Sequence, residues 1–494
     1  MGDLSLPPVY AARPAEFLQY FCIFTLITAS ADFHDVQAFI NETWFIRVGT
    51  QLDPDLLQLL WYIIISIFTL GGFVGTLLGG HLAIKFGRKG TLLLVNILSL
   101  TGAALMGASK CAGIFELIIV GRFLVGLHSG VSLCVQPMYL AEIAPKAWRG
   151  AVSMGNSIFL TLGILIGQIA GQRELLGSKQ YWHILLSTVS IPALLQILLL
   201  PWFPESPRYL FLDKGLEAKA LQSLRQLHRA NSYRSELEDM EEERVTIQLQ
   251  HAKGPWQLLT DHSTRWQIIT VAMINIGQQL SGINAIYFYA TYIFTKAGIA
   301  QALIPYATIG TGFCECISAL CCSLLIECLG RRTLMLAGYL LMAFSCAAIT
   351  ISLTYQASYF WMPYMTMALL FAFILSFALG PGGVTSTVTG EMFTQTARLP
   401  AYMVCGSVNW LSFFIISLTF PFIVENLHHF FFLIFLSNCL LIALFIYIVM
   451  PETKNKSFVE IEREFRARNF RGRLTRAAVG GFINNIQMLN LWKP

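Results

Sequence analysis

Long apolar runs, each about the length of a bilayer crossing, alternate along this chain with short polar or basic connections. A helix that crosses the hydrocarbon core needs about 20 apolar residues. Runs of that kind fall near 57–84, 91–108, 114–137, 151–171, 184–203, 267–294, 302–327, 333–354, 360–388, 401–423 and 430–450. A weaker one of about 15 residues lies near 17–31, so the pattern predicts about twelve spans. Backbone in lipid must satisfy its own hydrogen bonds, which makes these spans helices and the chain an all-α membrane protein. One long polar interruption, 205–265, divides the pattern. Within it "GLEAKALQSLRQLHRA" has helical spacing with polar faces, and "SELEDMEEER" is acidic, helix-favouring and reads as a solvated face. The expected organisation is a six-helix half over 1–204, a linker of short helices over 205–265, a second six-helix half over 266–450, and a tail over 451–494.

Composition sharpens this picture. The 494 residues are 55% hydrophobic and only 12% charged, with a mean hydropathy of +0.61. Soluble domains carry about 25% charged residues. The net charge of +5 comes from short basic loops, "KFGRKG" (85–90), "PKAWR" (145–149) and "GRR" (330–332), and from the tail "REFRARNFRGR" (463–473). That distribution points to the positive-inside rule and away from nucleic acid. All these segments then lie on the cytoplasmic side, both termini with them, in a multi-pass protein expected at the plasma membrane. The N-terminus lacks a basic n-region and a small-residue cleavage site, so no cleavable signal peptide is expected. Asn41-Glu42-Thr43 is a glycosylation sequon in the first outer loop, whereas Asn455-Lys456-Ser457 falls in the cytoplasmic tail. Modification is expected at Asn41 alone. Most of the 11 cysteines lie in spans, and Cys314, Cys316, Cys321 and Cys322 crowd one helix. They read as packing residues, without the spacing of a metal site. No metal and no cofactor are implied, and nothing in the pattern sets an oligomeric state.

Three polar signals recur in the same order. "FGRKG" (86–90) returns as "LGRRT" (329–333), "EIAPKAWRG" (142–150) as "EMFTQTARLPA" (391–401), and "PESPRYL" (204–210) as "PETKNKSF" (451–458), about 243, 249 and 247 residues apart. Such duplication is a signature of transporters. The charged members, Arg88, Glu142, Arg149, Glu205 and Arg208 in the first half and Arg331, Arg332, Glu391, Arg398 and Glu452 in the second, are expected to form a gate. It would lock the halves together when the protein is open to the outside. Topology anchoring alone would account for the basic residues but not for acids at matching positions.

Together "GRKG", "PMYLAEIAPKAWRG", "PESPRYL", "GQQLSGINA", "GRR", "GEMF" with "NWLS", and "PETK" resemble the facilitative hexose transporters, the sugar-porter branch of the major facilitator superfamily. The likeness covers about 57–465 and implies the twelve-helix fold, with hexoses moving down their gradient by alternating access. "GTGFCE", "FAFILSFALGPGGVT" and "GQRELLG" are most similar to the fructose-accepting subclass.

The chemistry fits. A sugar must shed water to cross, and amides replace lost hydrogen bonds without a permanent charge. On an unbroken helix at about 100° per residue, Asn275, Gln278, Gln279 and Tyr289 share a face, and Asn284 falls about 120° from Gln278. A break at Gly282 would bring Asn284 to the same cavity. The resemblance implies that the seventh helix is discontinuous and that Gln278, Gln279 and Asn284 bind hexose. It adds Gln168 and Asn409 as ligands, Trp410 as a stacking ring, and Tyr287 and Tyr289 as an outer gate. Amides that merely tie helices together are the plainer alternative.

The chain departs from the family pattern in three places. Ser386 stands where glucose-selective members carry tryptophan, which implies a roomier pocket. Glu315 stands where many have asparagine; an acid at this depth is a functional candidate that would make transport pH-sensitive, and a protonated side chain hydrogen-bonded to a neighbour is the plainer alternative. The first span, "FLQYFCIFTLITAS" running into "ADFHDVQAFINETW", lacks the family signature. That departure motivates a competing reading as a transport-inactive sugar sensor, and Glu315 or Asp32 one as a proton-coupled symporter. An enzyme is not expected, because there is no HExxH or P-loop motif.

Overall fold

The computed structural model describes residues 33–144, 149–227, 233–249, 254–288, 293–295, 297–356, 358–393, 395–454, 456, 460–461 and 463–465. The weak first span, Asp32, Tyr289, Asn455 and the side chain of Arg149 lie outside that description.

The N-terminal helices are α1 (Phe33–Val48), α2 (Pro54–Phe86), α3 (Arg88–Ala112), α4 (Glu116–Ile143), α5 (Arg149–Ala170), α6 (Trp182–Ser187) and α7 (Ser190–Leu199). Three short ones follow: α8 (Glu217–Leu227), α9 (Tyr233–Leu249) and α10 (Pro255–Thr260). The chain ends in α11 (Arg265–Leu280), α12 (Ile283–Phe288), α13 (Ile304–Leu329), α14 (Arg331–Thr354), α15 (Met362–Phe377), α16 (Gly383–Met392), α17 (Gln395–Leu427) and α18 (Phe431–Val449). Every span expected between 57 and 450 coincides with a helix or helix pair.

Eight stretches of the described residues are long and apolar enough to cross a membrane by length and composition. That count takes Ala397–Val449 as one stretch, although the chain turns at His428 between α17 and α18. Lipid explains the exposed apolar faces: Leu324 is 75% exposed, Phe344 69% and Leu441 66%. In water such a surface would drive aggregation.

The segment 33–48, which the sequence reading leaves as an outer loop, is helical. Asp35 in its first turn and Arg47 in its last complement the helix dipole. Val36 and Ile40, one turn apart, are buried, and Phe39 packs on Trp182 with ring centroids 5.3 Å apart. Arg47 closes its end with a 2.6 Å ion pair to Glu116.

Small residues set how closely the spans approach. A Cβ on Gly126 of α4 would lie 2.1 Å from the Phe68 carbonyl oxygen of α2. On a neighbouring part of α2 a Cβ on Gly72 would lie 2.4 Å from the Trp410 ring of α17. Close helix contact through small residues supplies dispersion energy where no hydrophobic effect acts. In the linker, Phe211, Ala220, Leu224 and Met240 form a small core of their own, and Arg244 pairs with Glu217 at 2.6 Å.

Candidate functional site

Helix α11 stops at Leu280, and Gly282, with φ +88°, turns the chain before α12 begins at Ile283. Few residues other than glycine adopt that conformation. Space enforces the same choice, since a Cβ there would lie 2.2 Å from the Phe435 ring. The break swings Asn284 back towards the amides of α11. Its Nδ2 donates to Gln279 Oε1, and Gln279 Nε2 donates to Asn409 Oδ1 at 2.7 Å.

These residues line a cavity of about 220 Å³ between α4, α5, α11, α12, α13, α15, α16 and α17. Gln278 also lines it, partly exposed, and its amide bonds no described residue. Asn275 turns its amide to the Val271 carbonyl at 2.8 Å, and Ser386 sits on the α16 wall. The cavity therefore presents amides and hydroxyls, the carboxyl of Glu315, and the apolar Ile283, Phe377 and Phe413.

Other candidates are placed differently. Gln168 is 4% exposed and stands outside the lining residues. Its Nε2 donates to Thr311 Oγ1 at 3.0 Å, and its Oε1 accepts from the Gly312 N–H at 3.1 Å, so its amide straps α5 to α13. The side chain reaches that backbone because residue 312 has no Cβ, which would sit 2.2 Å from Gln168 Oε1. Trp410 lines the cavity but is only 2% exposed. It is stacked on Phe413 at 5.9 Å and meets Phe68 edge-on at 5.7 Å, so it is a wall and not an open stacking platform. Tyr287 is a cavity residue too, and its hydroxyl donates to Glu315 Oε2 at 2.6 Å.

The gate candidates form two matching clusters at the end of the molecule that carries the basic loops. In the first, the Glu205 carboxylate accepts from the N–H groups of Arg88 and Lys89, both at 3.1 Å, at the start of α3. Arg88 pairs with Glu142 at 3.0 Å and Asp213 at 2.6 Å, and the Ser206 hydroxyl donates to Glu142. In the second, Glu452 accepts from the N–H groups of Arg331 at 2.8 Å and Arg332 at 3.1 Å, at the start of α14. Arg331 pairs with Glu391 at 2.8 Å and Glu327 at 3.1 Å, and the Thr453 hydroxyl donates to Glu391 at 2.6 Å. Gly87 (φ +83°) and Gly330 (φ +88°) precede the two helices in the same conformation.

Glu205 and Glu452 thus cap helix N-termini, where unpaired N–H groups and the dipole favour an anion. Each of these ion pairs joins residues of a single cluster. Arg208 turns to Glu236 of α9 at 3.8 Å, Arg332 bonds the Tyr447 carbonyl, and Arg398 is nearly buried. Sequence reasoning missed Ser206, Asp213, Glu327 and Thr453. The hydroxyl directly after the acid in both "PES" and "PET" was the available signal.

The expected glycosylation residue Asn41 lies on α1, where its Oδ1 accepts from the Leu52 N–H at 3.1 Å. Thr43 is 5% exposed and donates to the Phe39 carbonyl at 2.7 Å.

A helical bundle of apolar spans, broken beside a central cavity edged with amides, defines a membrane carrier for a small polar solute. The profile described as "Sugar (and other) transporter" matches residues 13–465, and the chain belongs to that family. Among its relatives, the human solute carrier family 2, facilitated glucose transporter member 11 is 45% identical over 435 residues, which are 88% of each chain. Member 5 of the same carrier family from Bos taurus is 42% identical over 460 residues, covering 93% of this chain and 91% of that one. Among solved structures, the proton:xylose symporter XylE bound to 6-bromo-6-deoxy-D-glucose superposes with a TM-score of 0.74 at 22% identity, over 90% of this chain and 98% of that one. That likeness shows the major facilitator fold.

Proposed function

We propose that the protein carries hexoses, fructose or glucose, across a membrane down their gradient by alternating access and without ATP. Support comes from the relatives named above as facilitated glucose transporters. The observation that carries the reading is the amide set Gln278, Gln279, Asn284 and Asn409 along one cavity. Neutral donors and acceptors replace the water that a sugar sheds, and the amide of Gln278 is free to do so.

On this reading the halves 1–204 and 266–450 rock about the cavity. The two charge clusters fix the starts of α3 and α14 at the cytoplasmic end. The basic loops support a cytoplasmic side for that end and both termini, with Asn41 outside at the plasma membrane. Ser386 leaves room on the α16 wall, which supports fructose as a substrate.

The test is tracer uptake of fructose and glucose by the full chain in liposomes, beside Gln278→Ala and Asn284→Ala. A net hydrogen bond is worth about 1 kcal/mol, and a buried amide left unpaired costs about 1–3 kcal/mol. Each variant should therefore lose about tenfold or more in uptake at equal protein level. Undiminished uptake in both variants would falsify the assigned site, and no uptake of any hexose by the parent chain would remove the transport function.

A further inference from the structure

Helix α18, FFLIFLSNCLLIALFIYIV, is almost wholly apolar, and Asn438 is its one amide. An amide among apolar residues is costly unless it finds a partner. Asn438 stands outside the residues that line the cavity. Its Nδ2 instead donates to the Gly277 carbonyl of α11 at 3.0 Å. Helix α11 stops at Leu280, so this carbonyl belongs to its last turn, where backbone oxygens lose helical partners. The Ser281 N–H donates to the same oxygen at 3.0 Å, the Ser281 hydroxyl to the Gln278 carbonyl at 2.7 Å, and the Gly282 N–H to the Gln279 carbonyl at 3.3 Å. Those bonds are local to the break, whereas Asn438 reaches it from another helix.

Three α18 residues with the spacing of one helix face, Phe435, Asn438 and Ile442, meet this end of α11. Phe435 fills the space beside Gly282, and a Cβ on Gly277 would lie 2.5 Å from Ile442. Phe435 is itself stacked on Phe420 of α17 at 6.0 Å and meets Phe431 edge-on at 5.7 Å, so the face that carries Asn438 is firmly seated. Gln278 follows Gly277 directly, and Gln279 points about 160° away from it around the helix. A hold on Gly277 from behind therefore fixes the turn that presents both amides to the cavity.

We propose that Asn438 is a positioning residue for the sugar site, which sets the last turn of α11 and through it the amides of Gln278 and Gln279. This deepens the hexose-transport reading and rests on it. On that reading α11 and α18 belong to the same half, so their bond persists while the halves rock. Its loss should weaken affinity for the sugar and spare the maximal rate.

The full chain in liposomes is assayed for concentration-dependent uptake of labelled fructose and labelled glucose. Asn438→Leu removes the donor, and should raise the half-saturating concentration by about twofold to tenfold, with the maximal rate within about twofold of the parent. In a Gln278→Ala background the same change should add less than about twofold, because an amide that it positions is already gone. Asn438→Ala, which adds no bulk, should behave like Asn438→Leu. An unchanged half-saturating concentration overturns the proposal, and a lowered melting temperature beside it would leave Asn438 a simple tie between helices. An undiminished effect in the Gln278→Ala background, or an equal fall in maximal rate, also overturns it. If neither variant reaches parental membrane levels, Asn438 serves folding and the positioning role is wrong. A parent chain that takes up neither sugar instead removes the transport reading, and this inference with it.

Discussion

Gly282 shows how a single position sets the site. Its φ of +88° would strain any other residue by about 1–2 kcal/mol, and a Cβ would overlap the Phe435 ring. Overpacking of that kind adds about 1–3 kcal/mol. Gly282→Ala should therefore lower the melting temperature in detergent by several degrees. Adding Phe435→Leu should recover the part due to overlap and leave the part due to the backbone. Full recovery would mean that the dihedral carries no cost. This residue was legible in the sequence because it interrupts an amide face that only a break could reunite. Gln168 was not, because whether a fifth-helix side chain meets the cavity or the neighbouring helix depends on interhelical tilt and on the missing Cβ of Gly312. Trp410 misled for a related reason: ring chemistry was visible, but not that Phe68 and Phe413 already occupy the ring.

Among the elements, α3 and α14 begin in the same way, with a glycine of positive φ, an arginine, and a carboxylate from a distant segment closing the helix end. The sequence displayed the repeat but suggested that every charge in it serves one role. In the fold the roles divide: Glu205 and Glu452 cap, whereas Glu142 and Glu391 hold Arg88 and Arg331. A charged cap is worth about 1–2 kcal/mol. Glu205→Gln and Glu452→Gln should each cost about that much, by similar amounts at the two positions. The check is thermal unfolding together with proteolysis at the helix junctions around Gly87 and Gly330. A marked loss in one and none in the other would break the equivalence. Helix α1 escaped the sequence reading because its 16 residues are too few and too polar for a span, and contacts distant in sequence, with Trp182 and Glu116, help to hold it.

Taken whole, the molecule has its spans written plainly in its apolar runs, since lipid demands length and hydropathy of each one separately. How the spans press together was not written there. The face of α2 against α17 depends on Gly72 meeting a tryptophan far away in sequence. Opposite the basic loops, this contact ends where Gln58 donates to Glu425 at 2.6 Å and Tyr62 meets Phe422 at 5.8 Å. On the alternating-access reading α2 and α17 belong to different halves, so this end must part on each cycle. Cysteines at 58 and 425 in a background freed of native cysteines, joined by a short thiol-reactive linker, should cut uptake by about tenfold or more. A reductant should restore it. Full activity in the cross-linked protein would show that the two ends stay together throughout.

The strap that Gln168 throws across to Thr311 and Gly312 joins helices on opposite sides of the same divide. A bond of this sort, remade at every turnover, weighs on tempo more than on grip. It deepens the resting well of one state and so lengthens the wait before the next, while leaving the sugar's own contacts untouched.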